Sequence, residues 1–198
     1  MEQPGAFLGP RVPEGTYRVK LIVGDKAYQA QVTLTPDPRF TDSREDRALQ
    51  DRTAMRLYDM VQRLTYLVDA VIDLRDQAKA RAAGLKPNDR LARRLGAYAD
   101  TLDRFRASLV STSSAGRMGG EELLREKLVS LYGAVNGYEG RPTVSQLEQV
   151  EVLAGRLDAA GARVETLTGT RLAALNRELV SQKLAPLAML ARDQWDKR

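Results

Sequence analysis

The chain contains no histidine and no cysteine. The first absence removes the imidazole that acts as general base in Ser-His-Asp and Cys-His catalysis. The second removes thiolate nucleophiles, thiolate zinc sites and disulfides. Carboxylate, lysine, arginine and tyrosine chemistry remains, and no spacing gathers these groups into a reactive set. The di-iron sites of helical bundles rest on Glu-x-x-His repeats, so they are out of reach as well. The residues therefore point to a protein with no catalytic residue, no metal and no cofactor. Lack of cysteine suits reducing and oxidising compartments alike.

Long apolar runs are also missing. None approaches the roughly 20 residues that span a bilayer. The start Met1-Glu2-Gln3-Pro4-Gly5 has neither the basic residues nor the apolar stretch of a signal peptide. This leaves a cytoplasmic protein or a piece of a longer exported one. Charge of one sign is lacking too: 31 basic residues face 26 acidic ones, for a net charge of +5. The two signs alternate along almost every segment, whereas a nucleic-acid footprint is a one-signed stripe. The balance argues against a nucleic-acid partner despite a pI near 9.6.

What is present is a core-forming composition, 43% hydrophobic and 29% charged over 198 residues. Two periodicities divide it. In the first 40 residues Tyr17, Val19, Leu21 and Val23 alternate with polar neighbours, and Tyr28, Ala30, Val32 and Leu34 do the same beyond Gly24-Asp25-Lys26. Period-two alternation on both sides of a short Gly-Asp turn predicts a β-hairpin. Pro36-Asp37-Pro38 ends its second strand. Phe7-Leu8-Gly9-Pro10 offers one further short strand, far from the roughly seven of a sandwich. Two strands alone are marginal in water, so the hairpin packs on the helices, pairs with another copy, or belongs to a sheet that is not present.

From Ser43 the period becomes helical. Leu57, Val61, Leu64, Val68 and Val71, widened by Met60, Leu67 and Leu74, mark the broad face of a bundle helix running to Ala83, where Gly84 stops it. Pro87 with Asn88 or Asp89 opens a second helix on Leu91, Leu95, Tyr98, Leu102, Phe105 and Leu109. The small, polar stretch 111–120 reads as a flexible loop. It is no phosphate loop, because Glu121-Glu122 follows where Lys-Ser or Lys-Thr is needed. Leu124, Leu128, Leu131 and Val135 give a third helix ending at Asn136-Gly137, and Pro142 prepares a fourth that runs to about Lys183. Gly155, Gly161 and Gly169 inside it predict close helix contact or a bend. Short connections imply antiparallel neighbours. The expected fold is thus mostly α: an antiparallel up-and-down four-helix bundle over 41–198 carrying an N-terminal β-hairpin in 1–40.

Few residues stand out as candidate sites. Asp69 with Asp73, and Glu148 with Glu151, lie one helical turn apart, a spacing that more often marks a solvated helix face than a cation site. Arg90, Arg93 and Arg94 cluster where the second helix begins and could meet an anionic partner. Trp195, the sole tryptophan, is either an interface anchor or packed on the bundle.

The stretch from Gly9 to Leu21, with Tyr28–Leu34 and the exit Pro36-Asp37-Pro38-Arg39, resembles the C-terminal part of large bacterial proteins with BNR-repeat or sortilin-like β-propellers. There a hairpin closes an immunoglobulin-like or fibronectin-like domain and leads into a helical region. Arg141-Pro142-Thr143 and Leu175-Asn176-Arg177-Glu178-Leu179 are similar in placement. Glu14 stands where that family has proline. Such proteins are often labelled glycosyl hydrolases and are exported, but the propeller is absent and no Asp-box motif occurs in this chain. The resemblance implies a non-catalytic accessory module, periplasmic or secreted, that scaffolds, docks or dimerises a parent protein. Its partner would be the remainder of that chain or a second copy, as a homodimer. Tyr17, Val19, Leu21, Tyr28, Val32 and Leu34 would form the sheet interface. The alternative is a free-standing cytoplasmic helical adaptor whose basic face meets an acidic protein or nucleic acid.

Overall fold

A computed structural model describes residues 9–39, 41–86, 88–111 and 122–197. The further strand expected at Phe7 and Leu8, Pro87 as the expected opening of the second helix, and nearly all of the stretch 111–120 expected to be a flexible loop lie outside the described residues. The remainder is mostly helical, preceded by one two-stranded antiparallel hairpin.

The hairpin pairs β1 (Gly15–Val23) with β2 (Lys26–Leu34), joining Val23 to Lys26 across a two-residue turn. Gly24 has φ 57°, the conformation that the first central position of a type II′ turn demands and that glycine adopts without a β-carbon clash. α1 (Arg44–Ala83) extends over 40 residues, about 60 Å at 1.5 Å per residue. Ser43 Oγ caps it by accepting the Asp46 N–H, and Glu45 and Asp46 place negative charge at its positive end. Leu57, Leu64, Val71, Leu74 and Ala78 form its buried stripe. Val61 and Val68 sit at the margin of that stripe rather than in it.

α2 (Arg90–Ala107) is capped by Asp89, which accepts the Leu91 N–H at 2.7 Å. α3 spans Leu124–Asn136. α4 (Val144–Thr168) begins with a reciprocal cap between Thr143 and Gln146. α5 (Thr170–Ser181) follows across Gly169, so the single last helix expected from the sequence bends at one of its three glycines. A four-residue turn of helix, α6 (Arg192–Trp195), ends the described chain.

Side-chain pairings set the spatial order. Asp46–Arg141, Arg56–Glu151 and Arg63–Asp158 are each 95 residues apart, so α1 and α4 run parallel in one register. α2 runs against α1, with Arg75 on Asp103 at 2.8 Å. α3 does likewise, since Gln50 meets Val135 while Tyr58 meets Tyr132. The Arg125 N–H donates to the Leu109 C=O at 3.1 Å and splices the end of α2 to the start of α3. Along the third side, Arg94 pairs with Glu178 and Tyr98 with Leu167, which sets α5 against α2.

The helices thus form three columns: α1, then α2 with α3, then α4 with α5. The four-helix up-and-down order expected from the sequence would have set α4 antiparallel to α1. Length explains the difference. α2 and α3, at 18 and 13 residues, are about 27 and 20 Å long and must be placed end to end to follow a 60 Å partner. Apolar residues from all three columns close one continuous core. Residues 182–197 fold back along the outside of α1, through Arg81 to Ala185, Gln77 to Ala188 and Tyr66 to Leu190.

Candidate functional site

Cross-strand register sorts the hairpin side chains into two faces. Tyr17 opposes Val32, Val19 opposes Ala30 and Leu21 opposes Tyr28 on one face, with Leu34 opposite Gly15 at its end. The other face is polar along most of its length, with Thr16, Arg18 and Lys20 opposite Thr33, Gln31 and Gln29. This is the pattern of a strand pair with one side in a core. No helix covers it: every strand residue except Gly15 and Tyr17 is exposed, and Leu21 and Tyr28 show 60% and 54% of their surfaces. Of the three arrangements expected for the hairpin, packing on its own helices is therefore excluded. Among the described residues, no strand pairs with the outer edge of either one.

Ion pairs at its root hold the hairpin to the helices. Glu14 accepts from Arg47 at 2.9 Å and pairs with Arg44 at 3.2 Å, both in the first turns of α1. Arg11 reaches Glu139, between α3 and α4, at 2.8 Å. Tyr17 Oη donates to the Pro13 C=O at 2.7 Å and braces the entry to β1. Glu14, the residue that departs from the resembled motif, is thus the anchor of the hairpin. Nothing in its sequence neighbourhood marks it, because its partners lie 30 and 33 residues away. Nearby Asp51 is held above the usual carboxylate range by burial and by the charge of Glu14.

The other candidates are distributed over the helical body. Asp69 accepts from Trp195 Nε1 at 2.8 Å, and Asp73 from Gln77 Nε2 at 2.7 Å. Arg56 holds the Glu151 carboxyl below its usual range. Three of the four paired carboxylates are therefore occupied in structural contacts. Trp195 packs back on α1, edge-on to Tyr66 with ring centres 5.9 Å apart, and Arg192 lies over both rings. Arg94 is engaged by Glu178. Arg90 and Arg93 are exposed beside it.

Arg90 and Arg93 belong to a larger grouping that only the fold assembles. The end of α1, the start of α2 and the end of α5 meet at the pole of the molecule opposite the hairpin. Residues 79–94 and 177–183 bring eight cations and two carboxylates there, a local charge of +6 against +5 for the whole chain. Both carboxylates are engaged, Asp89 as the α2 cap and Glu178 with Arg94.

Among the described residues, no group of three or more metal-ligating side chains comes together, and no helix is long and apolar enough to cross a membrane. Comparison with family models, with curated proteins and with solved structures finds no match to this chain.

Proposed function

We propose that this chain is a non-catalytic interaction module in which a three-column helical body holds out a β-hairpin for incorporation into a β-sandwich-like domain. The uncovered apolar face of the hairpin carries this reading. Nine residues at about 3.4 Å, and two strands at about 4.8 Å, give a face of roughly 300 Å². A stable interface needs about 800 Å² per partner, so two hairpins facing one another fall well short. A sheet supplies both an apolar face and a hydrogen-bonding edge, which fits an immunoglobulin-like or fibronectin-like domain joined to the hairpin. The resemblance to exported propeller proteins supports the same partner and a periplasmic or secreted location.

Amide hydrogen exchange tests the reading. In this chain the amides of residues 15–34 exchange fast. Extended by the residues encoded immediately upstream, the same amides slow by about 100-fold or more, as a strand pair joined to a core does. Unchanged exchange in the extended chain would refute the proposal. Replacing Leu21 and Tyr28 by lysine leaves this chain folded and abolishes protection in the extended one.

A second reading rests on the basic pole: an adaptor that grips an acidic protein partner there. Binding by that pole weakens steeply with salt and is reduced by Arg90→Ala with Arg93→Ala, while hairpin substitutions leave it unchanged. Salt-insensitive binding would exclude it.

A further inference from the structure

Residues 184–190 lie extended along α1, and side chains hold their backbone. The Asn176 carboxamide on α5 donates to the Leu187 C=O at 2.9 Å and accepts the Leu187 N–H at 2.8 Å. The Gln77 carboxamide on α1 treats the next residue in the same way, donating to the Ala188 C=O at 2.8 Å and accepting its N–H at 3.0 Å. Arg81 Nε donates to the Ala185 C=O at 3.0 Å, and Tyr66 Oη to the Leu190 C=O at 2.9 Å. Leu187 and Leu190, three residues apart, are buried to 3% and 6% exposure.

A carboxamide presents one acceptor and two donors in a plane, the complement of a peptide unit. Two of them on different helices, reading consecutive residues through donor and acceptor alike, form a main-chain ladder. Two leucine anchors provide side-chain selectivity. These are the elements by which grooves bind extended peptides. Nothing in the ladder requires the bound segment to be covalently joined to α5.

The connection that does join them is short and strained. Among the described residues Lys183 is the only non-glycine with positive φ, at 59°, a conformation unfavourable for a residue with a β-carbon. Its N–H donates to the Val180 C=O, and the Leu184 N–H to the Leu179 C=O, closing a tight reversal at the end of α5. Opening it relieves Lys183 and releases the strap, while an identical strap from another molecule can remake every bond to the groove. We infer that the groove between α1 and α5 is an extended-peptide site, filled by residues 185–190 of its own chain and able to take the same segment of a second copy in a reciprocal exchange. Two grooves filling one another make a closed, two-fold dimer, and strained hinges favour such exchange. Tethering gives the strap an effective concentration on the order of millimolar, so the wild-type chain is monomeric at micromolar concentration.

Lys183→Pro tests this in the full chain, since proline cannot adopt positive φ and has no N–H for Val180. Trp195, the sole tryptophan, reports whether the strap is docked through its contacts with Tyr66 and Asp69. The expected result is a doubled mass by light scattering with tryptophan emission unchanged, while Lys183→Gly remains monomeric. Adding Gln77→Ala and Asn176→Ala to Lys183→Pro returns the monomer with red-shifted emission. A monomeric Lys183→Pro chain, with or without released tryptophan, overturns the inference. So does a dimer with red-shifted emission, which would be associating elsewhere. If far-UV circular dichroism shows that Lys183→Pro is unfolded, deletion of Gln182 and Lys183 forbids the same reversal and is read in the same way.

Discussion

Replacing Gln50 by leucine separates packing from hydrogen bonding at the joint between α1 and the α3–α4 connection. Gln50 is 8% exposed. Its Nε2 donates to the Val135 C=O at 2.8 Å and to the Tyr138 C=O, and its Oε1 accepts the Gly140 N–H at 3.2 Å. Leucine keeps most of the volume and removes all three partners. Each hydrogen bond contributes about 1 kcal/mol net, and each buried backbone group left unpaired costs about 1–3 kcal/mol. These are two measures of one loss rather than a sum. The buried Val135 C=O and Gly140 N–H cost about 2 kcal/mol each, while the part-buried Tyr138 C=O is open to water. Burying leucine carbon offsets about 1 kcal/mol of this. The balance is a loss of about 3 kcal/mol. With an m value of about 2 kcal/mol/M, the urea midpoint followed by far-UV circular dichroism falls by about 1.5 M at constant slope. A shift below about 0.3 M would refute the reasoning, since the three backbone groups would then be satisfied without the side chain. Gln50→Glu keeps the acceptor for Gly140 but cannot donate when ionised, so it is at least as damaging at neutral pH.

Other substitutions probe the core, the hairpin and the ionisable groups. Leu57→Ala, at a fully buried position of α1, lowers stability by about 2–5 kcal/mol in the same urea assay, whereas Val19→Ser on the exposed hairpin changes it by less than about 0.5 kcal/mol. Burial pushes the Tyr98 phenol up to about 12, and its hydroxyl donates to the Leu167 C=O at 3.1 Å. The raised value favours the neutral phenol in the folded state, so this contribution is intact below about pH 10 and is lost as pH rises towards 12. The stability difference between wild type and Tyr98→Phe therefore shrinks by about 2–3 kcal/mol over that window in thermal melts. At the acid limb the sign reverses. Arg141 and Arg56 hold Asp46 and Glu151 below their usual ranges, so the pairs joining α1 to the α4 column stabilise above the unfolded carboxylate range. That stability disappears as pH falls through the lowered folded values. Arg56→Ala with Arg141→Ala makes the protein less sensitive to pH across this interval, read from urea midpoints between about pH 5 and 2.

The elements legible in the sequence are those whose signals are local. The hairpin register follows from alternation and from Gly24-Asp25, and the span of α1 from its four-three spacing between Ser43 and Gly84. The break between α4 and α5 falls at Gly169, one of three glycines whose presence predicts close helix contact or a bend. Gly161 instead meets a neighbour: a β-carbon there would lie 3.1 Å from Arg63 Nη2. Glycine narrows the choice, but the facing column decides which outcome occurs. The residues that hold the elements together carry no local signal. Gln50, Gln77 and Asn176 read as ordinary polar positions on amphipathic helices, because the backbone groups they hold lie between 11 and 111 residues away. Glu14 read as a minor replacement for proline, since Arg44 and Arg47 approach it only when α1 begins beside the hairpin root.

By itself the sequence determined which segments are strand and helix, where most of them end, and that histidine and thiol chemistry are unavailable. These are consequences of residue type and short-range periodicity, which need no partner to be read. Only the tertiary structure decided that the helices form three columns, that residues 182–197 fold back along α1 as a strap, that eight cations share one pole, and that the apolar face of the hairpin is left open. Each of these depends on which distant surfaces meet, and that is set by matching lengths, charges and volumes across the whole chain.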